Sequence, residues 1–195
     1  MPDYYQANFK EYSSETFSID PTSFLGPLLD YLPAGGSILD IGCGSGRDLL
    51  WFKNEGFQAT GFERASNLAE LAGQRSGCPV IEGDFVDYDF SLLKADALVL
   101  IGALVHVQHK DLACTLIKIC KALTQGGHIL LSLKEGEGVR QHEDGRLFYL
   151  WTDLQLRQIF NERGFLVVDF SRQISKINRD DVWLGYVLRQ GNGKI

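Results

Sequence analysis

The sequence predicts an α/β protein, a mostly parallel sheet with helices on both faces. Three observations predict it. Short β-branched or aliphatic runs alternate with amphipathic stretches along the 195 residues, the pattern of strands joined by crossover helices. The run from Ala95 to Ile101 is almost wholly apolar, as a strand covered on both faces requires. The last two extended runs are joined by a short polar connection, which suits an antiparallel pair and not another crossover.

The elements follow in order. The segment to about Ser18 is polar and aromatic, with Tyr4, Tyr5, Phe9, Tyr12 and Phe17, and reads as an N-terminal arm or lid over residues 1–20. A helix follows, with Asp20 as N-cap, Pro21 in its first turn and an apolar face of Phe24, Leu25, Leu28, Leu29 and Leu32. Pro27 inside it should kink or delay it. Ser37 to Ile41 is the first strand, Arg47 to Asn54 a helix stopped by Gly56, and Gln58 to Glu63 the second strand. A helix passes through Asn67–Ala72, and the short strand Val80-Ile81 leads to Gly83-Asp84-Phe85. After the fourth strand, Lys110 to Leu123 carries a helical stripe at Leu112, Leu116, Ile117, Cys120 and Leu123, ended by Gly126-Gly127. His128 to Leu133 is the fifth strand. Lys134 to Arg146 is too charged for core and reads as a polar loop, part of a substrate-side segment over 134–151. Thr152 and Gln155 have capping-box spacing at the start of the last helix. Phe165 to Phe170 and Val182 to Leu188 close a chain expected to be one domain over 1–195.

Composition narrows the function. A net charge of −6 and the lack of a basic cluster argue against a nucleic-acid partner, because such binding rests on Lys and Arg neutralising phosphates. No apolar run approaches the roughly 20 residues of a membrane helix, and Met1-Pro2-Asp3-Tyr4-Tyr5 lacks the pattern of a secretory leader. Cytoplasmic residence and a small-molecule partner, in a monomer or homodimer, are the expectation. Cys43, Cys78, Cys114 and Cys120 form no C-x-x-C pair and no zinc-finger spacing, so four reduced thiols and no metal are expected.

The informative stretch is Asp40-Ile41-Gly42-Cys43-Gly44-Ser45-Gly46. A strand, a glycine-rich turn and a helix build a nucleotide site at the carboxyl edge of a parallel sheet, because glycines let the backbone approach a ligand and helix-start N–H groups face it. The dinucleotide fingerprint G-x-G-x-x-G wants glycine at 47, where this chain has Arg47, so the loop tilts away from NAD. Glu63, ending the second strand, is placed to accept hydrogen bonds from ribose hydroxyls.

These residues carry a resemblance. Ile38 to Arg47 resembles motif I of the class I S-adenosylmethionine-dependent methyltransferases, and the similarity covers nearly the whole chain. Gly61-Phe62-Glu63 resembles the ribose-holding segment, and Glu82-Gly83-Asp84-Phe85 the segment whose Asp meets the adenine amino group and whose next residue stacks on the ring. Leu100 to His106 resembles the stretch facing cofactor and substrate. Leu123 to Leu130 resembles the L-x-P-G-G turn, with Gln125 in place of Pro. Gly44-Ser45-Gly46-Arg47-Asp48 is similar to the tellurite-resistance-like, small-molecule bacterial branch, where the Arg reaches the cofactor carboxylate.

The resemblance implies a Rossmann-like, seven-stranded, mostly parallel sheet with helices on both faces and an antiparallel last strand. It implies S-adenosyl-L-methionine as cofactor, S-adenosyl-L-homocysteine as product, and methyl transfer to a small molecule by in-line displacement. The alternative is a non-catalytic S-adenosylmethionine-binding sensor or partner subunit. The candidate cofactor residues are Tyr12, Asp40, Gly42, Cys43, Gly44, Gly46, Arg47, Glu63, Arg64, Asp84, Phe85 and Ile101. His106 is the candidate general base, weighed against a loop histidine bonded to backbone. His109 reads as a solvated helix-start residue, His128 as structural and His142 as a loop residue. Tyr149 and Trp151 stand as acceptor-pocket walls or as core.

Overall fold

The computed structural model describes residues 4–191; Met1, Pro2 and Asp3 of the segment read for a leader lie outside the described residues, as do 192–195. The arm expected at the start is two helices, α1 (Tyr4–Ala7) and α2 (Phe9–Thr16). Helix α3 (Thr22–Leu29) begins after Pro21, with Asp20 Oδ1 accepting from the Thr22 amide (3.0 Å) and hydroxyl (2.6 Å). Pro27 sits inside α3 and has no N–H to donate, and the helix stops two residues later.

Next come β1 (Ser37–Ile41), α4 (Arg47–Asn54), β2 (Gln58–Glu63), α5 (Ser66–Ser76), β3 (Val80–Glu82) and β4 (Ala95–Ile101). Then follow α6 (Leu112–Ile119), β5 (Leu123–Lys134), β6 (Val139–Gln141), β7 (Leu147–Tyr149), α7 (Asp153–Glu162), β8 (Phe165–Ile174) and β9 (Val182–Gln190). The capping box forms at α7, with Thr152 accepting from the Gln155 amide and Gln155 from the Thr152 amide.

Seven strands form one sheet in the order β3-β2-β1-β4-β5-β9-β8. The first five are parallel, and β9 pairs antiparallel with both β5 and β8, so only the last strand runs against the rest. Alternate residues of the central strands feed two cores. Leu39, Ile41, Leu98 and Leu100 pack toward α6 and α7, while Ile38, Ala97 and Val99 pack toward α3 and α4.

Two expectations need correction. Strand β5 starts at Leu123 and runs through Gly126-Gly127, so those glycines lie within the strand and α6 ends at Ile119. The substrate-side loop expected over 134–151 contains the β6–β7 hairpin, with Arg140 paired to Phe148, and β6 falls within the stretch Lys134 to Arg146 read as polar loop. All three β6 residues are exposed, so no buried face marks the strand in the sequence.

The chain order sets the site. After β3 the path returns across the sheet to place β4 on the other side of β1. Chains leave the carboxyl ends of β1 and β4 in opposite directions there, which opens a crevice at the sheet edge. The glycine loop follows β1 and Gly102 follows β4, so both border it.

Candidate functional site

The glycine loop is held by its neighbours. The Gly42 and Cys43 amides donate to the Phe62 carbonyl at 2.7 and 3.3 Å. Gly42 has φ +71° and Gly44 φ +54°, backbone that side-chain-bearing residues rarely adopt. A Cβ on Gly44 would stand 3.3 Å from the Tyr12 ring, so α2 lies directly on the loop. Gly46 serves the packing behind the loop. A Cβ there would meet the Ala72 backbone at 2.8 Å, so this glycine lets α5 come close.

Glu63 knits the site together. Its Oε2 accepts from the Gly44 amide at 2.9 Å, and its Oε1 accepts from the Arg64 (2.8 Å) and Ala65 (2.9 Å) amides. The side chain is buried. Burial pushes its pKa up, opposed by these three backbone donors. Oε2 keeps acceptor capacity beyond its single backbone bond, as a carboxylate oxygen has two lone pairs.

Two cavities flank the loop. One, of about 640 Å³, is bounded by Glu63, Arg64, Gly83, Asp84, Phe85 and His106. The other, of about 870 Å³, is bounded on one side by Cys43, Arg47 and Asp48, and on the other by Ser132, Lys134, Arg146, Phe148, Asp181 and Trp183. Tyr5, Tyr12, Gly42, Gly44, Ile101 and Gly102 belong to both, so the cavities meet between the ends of β1 and β4 under the N-terminal helices.

The sequence candidates divide accordingly. Tyr12, Gly42, Gly44, Glu63, Arg64, Asp84, Phe85, Ile101 and His106 line the smaller cavity, and Cys43 and Arg47 the larger. Asp40 and Gly46 line neither and stand behind the wall. Asp40 is buried, its Oδ2 has no hydrogen-bond partner among the described residues, and burial and then the nearby Asp48 hold its pKa well above the usual carboxylate range. Asp84 is set by an Asx turn, Oδ1 accepting from the Val86 amide at 2.9 Å, with Arg64 3.8 Å from Oδ2. Arg47 is paired with Asp48 at 2.6 Å. Burial drives the Cys43 thiol pKa upward, which keeps it a thiol.

His106 Nδ1 lies 2.6 Å from the Leu147 carbonyl and its Nε2 lies 2.8 Å from the Tyr5 hydroxyl. Burial lowers its pKa. His109 is not a solvated helix-start residue: its Nε2 bonds the Leu150 carbonyl at 2.8 Å and its ring packs against Trp151 at 4.5 Å. Trp151 is buried in the core and, with Tyr149, lies off both cavity walls; Phe148 and Trp183 supply the aromatic wall instead. His128 stacks near Tyr31 and His142 bonds Asp144 at 2.8 Å. All four cysteines are unpaired, three of them buried.

Sequence reasoning missed the charged far wall of the larger cavity. Asp181 accepts from Lys134 at 2.5 Å and from Arg140 at 2.6 Å, and Lys134 Nζ lies 4.1 Å from the Phe148 ring centre. The partners stand more than forty residues apart, so no local spacing could show them. Among the described residues, no helix is long and apolar enough to cross a membrane.

Known proteins share both the family pattern and the fold. A family model described as a methyltransferase domain matches residues 12–169. A search of curated proteins finds no match. Among solved structures, a 1,6-didemethyltoxoflavin-N1-methyltransferase from Burkholderia thailandensis, with 1,6-didemethyltoxoflavin and S-adenosylhomocysteine bound, superposes with TM-score 0.76 at 20% identity, covering 95% of this chain and 85% of that one. An S-adenosylmethionine-dependent methyltransferase from Methanosarcina mazei gives 0.71 at 16% identity, covering 85% and 97%. The magnesium protoporphyrin IX methyltransferase of Synechocystis, with S-adenosylmethionine bound, gives 0.70 at 12%, covering 98% and 86%. The family match runs from Tyr12 on the helix above the loop to Asp169 in β8, taking in the glycine loop, Glu63, Asp84 and His106, and the chain belongs to the methyltransferase domain family.

Proposed function

We propose that this protein transfers a methyl group from S-adenosylmethionine to a small-molecule acceptor by in-line displacement, in the cytoplasm. The observation that carries the reading is the meeting of two cavities at Gly42, Gly44, Ile101 and Gly102, one walled by Glu63, Asp84 and Phe85 and the other by Lys134, Phe148 and Trp183. Bound there, the cofactor supplies an electrophilic methyl on a sulfonium.

The residues present fit such a cofactor. Glu63 offers a carboxylate to ribose hydroxyls, Asp84 and Phe85 offer an acceptor and a ring face to adenine, and the glycine backbone permits close approach. About 640 Å³ lies within the usual range of roughly 300–1,000 Å³ for small-ligand sites. Arg47 lines the larger cavity and is proposed to meet the cofactor carboxylate, a role that requires sharing its Asp48 partner. That role, with Gly44 to Asp48, supports placement in the tellurite-resistance-like, small-molecule branch.

The protein's own contribution is positioning and exclusion of water. Holding donor and acceptor in line supplies up to about 7–11 kcal/mol of the barrier without a covalent catalyst. Helices α1 and α2 cover the junction and Lys134, Arg140, Arg146 and Phe148 line the acceptor side, which supports reading the N-terminal arm as a lid and the segment 134–151 as substrate-side in a single domain. The structural neighbours include methyltransferases named for 1,6-didemethyltoxoflavin and for magnesium protoporphyrin IX, which supports a small-molecule acceptor.

The test is a labelled-methyl screen against small phenols, amines, thiols and carboxylates, read as label carried by the acceptor together with S-adenosylhomocysteine released. Turnover with at least one acceptor is expected. Binding of S-adenosylhomocysteine without turnover on any acceptor would favour the sensor reading.

A further inference from the structure

The placement of Tyr5 extends the methyl-transfer reading, and its meaning for the reaction rests on that reading. Of the six described residues shared by the two cavities, Gly42, Gly44, Ile101 and Gly102 carry no proton-bearing side chain, which leaves Tyr5 and Tyr12 among the described residues. His106 lines the cofactor-side cavity and is absent from the acceptor-side wall. Tyr5 thus stands between His106 and the acceptor cavity.

The hydrogen bonds fix the proton positions. A carbonyl only accepts, so the Leu147 carbonyl 2.6 Å from His106 Nδ1 requires that nitrogen to carry the proton. In the neutral ring Nε2 is then bare, and it accepts from the Tyr5 hydroxyl at 2.8 Å. Among the described residues, the charged and titratable groups around the pair include Arg146, Glu63, Tyr4 and Tyr12 near Tyr5, and Arg146, Lys134 and Arg64 near His106. Arg146 lies 3.7 Å from the Tyr4 ring centre and 3.5 Å from the Tyr5 hydroxyl, which ties α1 to the β6–β7 hairpin.

We propose that the acceptor is an aromatic hydroxyl compound whose proton passes to the Tyr5 oxygen while the Tyr5 proton passes to His106 Nε2. The acceptor oxygen forms its bond to the methyl carbon as the carbon–sulfur bond breaks, the electron pair staying on sulfur. The sulfonium charge ends as the charge of imidazolium, so atoms and charge balance. Trp183 supplies a partly exposed aromatic surface on the acceptor side, beside Phe148, whose ring is packed by Lys134 and His106. A neutral hydroxyl must shed its proton as it attacks, and a base relay receives it. Because Tyr5 rides on α1, the relay assembles only with the lid in place.

Two readouts test this. In protein labelled with ¹⁵N-histidine, long-range correlation spectra should show His106, assigned through His106→Gln, as the Nδ1–H tautomer. Tyr5→Phe should move the His106 titration upward, since the lost hydrogen bond favoured the neutral ring. With the phenols of the panel, Tyr5→Phe should lower kcat on the order of 10²-fold while S-adenosylhomocysteine affinity stays within about threefold. His106→Gln should do the same, and the double variant should lose little more, since the two act as a unit. An Nε2–H tautomer, a Tyr5→Phe enzyme within about threefold of wild-type kcat, or turnover confined to amines or thiols would overturn the proposal. Failure of the wild-type protein to bind S-adenosylhomocysteine would instead overturn the methyl-transfer reading, with the tautomer still deciding the Tyr5–His106 pair.

Discussion

Replacing Gly44 and Gly46 by alanine should separate the two roles of the glycine loop. Both have positive φ, +54° and +82°, which costs an alanine about 1–2 kcal/mol. The surroundings then differ. At Gly46 the new methyl would stand 2.8 Å from Ala72 Cα and 2.9 Å from Ala72 O, backbone atoms of α5 that move only with the helix. Overpacking of that kind adds about 1–3 kcal/mol, for a total of about 2–5 kcal/mol. For a chain of this length that lowers Tm by roughly 4–20 °C. At Gly44 the methyl meets the Tyr12 ring at 3.3 Å, a side chain on the lid that can yield, so the loss should stay near 1–2 kcal/mol and about 2–8 °C. Ligand binding should follow the opposite order. Gly44→Ala puts a methyl on the wall shared by both cavities and should weaken S-adenosylhomocysteine by about tenfold or more, or 1.4 kcal/mol. Folded Gly46→Ala should bind within about threefold of wild type. Scanning calorimetry and titration calorimetry on both variants measure the two orders. A Gly46→Ala protein as stable as wild type, or one weakened more in binding than Gly44→Ala, would refute the division.

Three further outcomes are expected. Glu63→Gln faces backbone donors with an amide NH₂, losing at least one charge-assisted bond worth about 1.5–3 kcal/mol; thermal unfolding checks the loss, and an unchanged Tm contradicts it. Asp40 has a raised pKa in the fold, so its contribution to stability is complete below the ordinary carboxylate pKa and is lost as pH rises through the folded value. Asp40→Asn should therefore gain stability relative to wild type as pH increases across that window, and parallel urea-unfolding curves at all pH values would count against it. Asp181→Asn leaves Lys134 and Arg140 facing a neutral group on the acceptor wall. It should raise the acceptor KM while S-adenosylhomocysteine affinity holds, and equal losses in both would show that the pair is not confined to the acceptor side.

The sheet was legible because its central strands are apolar runs punctuated by glycine, and β4 needs no tertiary information to be recognised. Glu63 was legible because it ends β2, and Asp84 because it follows β3, both strands that must terminate at the sheet's carboxyl edge. The β6–β7 hairpin was not, since Val139, Arg140 and Gln141 are all exposed and carry no alternation. His109 was misplaced because its partners, Leu150 and Trp151, come from across the fold. Helices α1 and α2 gain their positions by packing on the loop and on α5, through Gln6 with Ser66 and Asn67 and Arg75 with Ser13, and nothing local encodes that. The far wall built from Lys134, Arg140 and Asp181 depends on β5 and β9 being neighbours in the sheet, which only the topology supplies.

Titration of S-adenosylhomocysteine into wild-type protein and into Glu63→Gln decides whether Glu63 holds the cofactor. One site per chain is expected in wild type, with an affinity at least tenfold weaker, about 1.4 kcal/mol, in the folded variant. No binding in wild type, or equal affinity in the two proteins, would contradict that role.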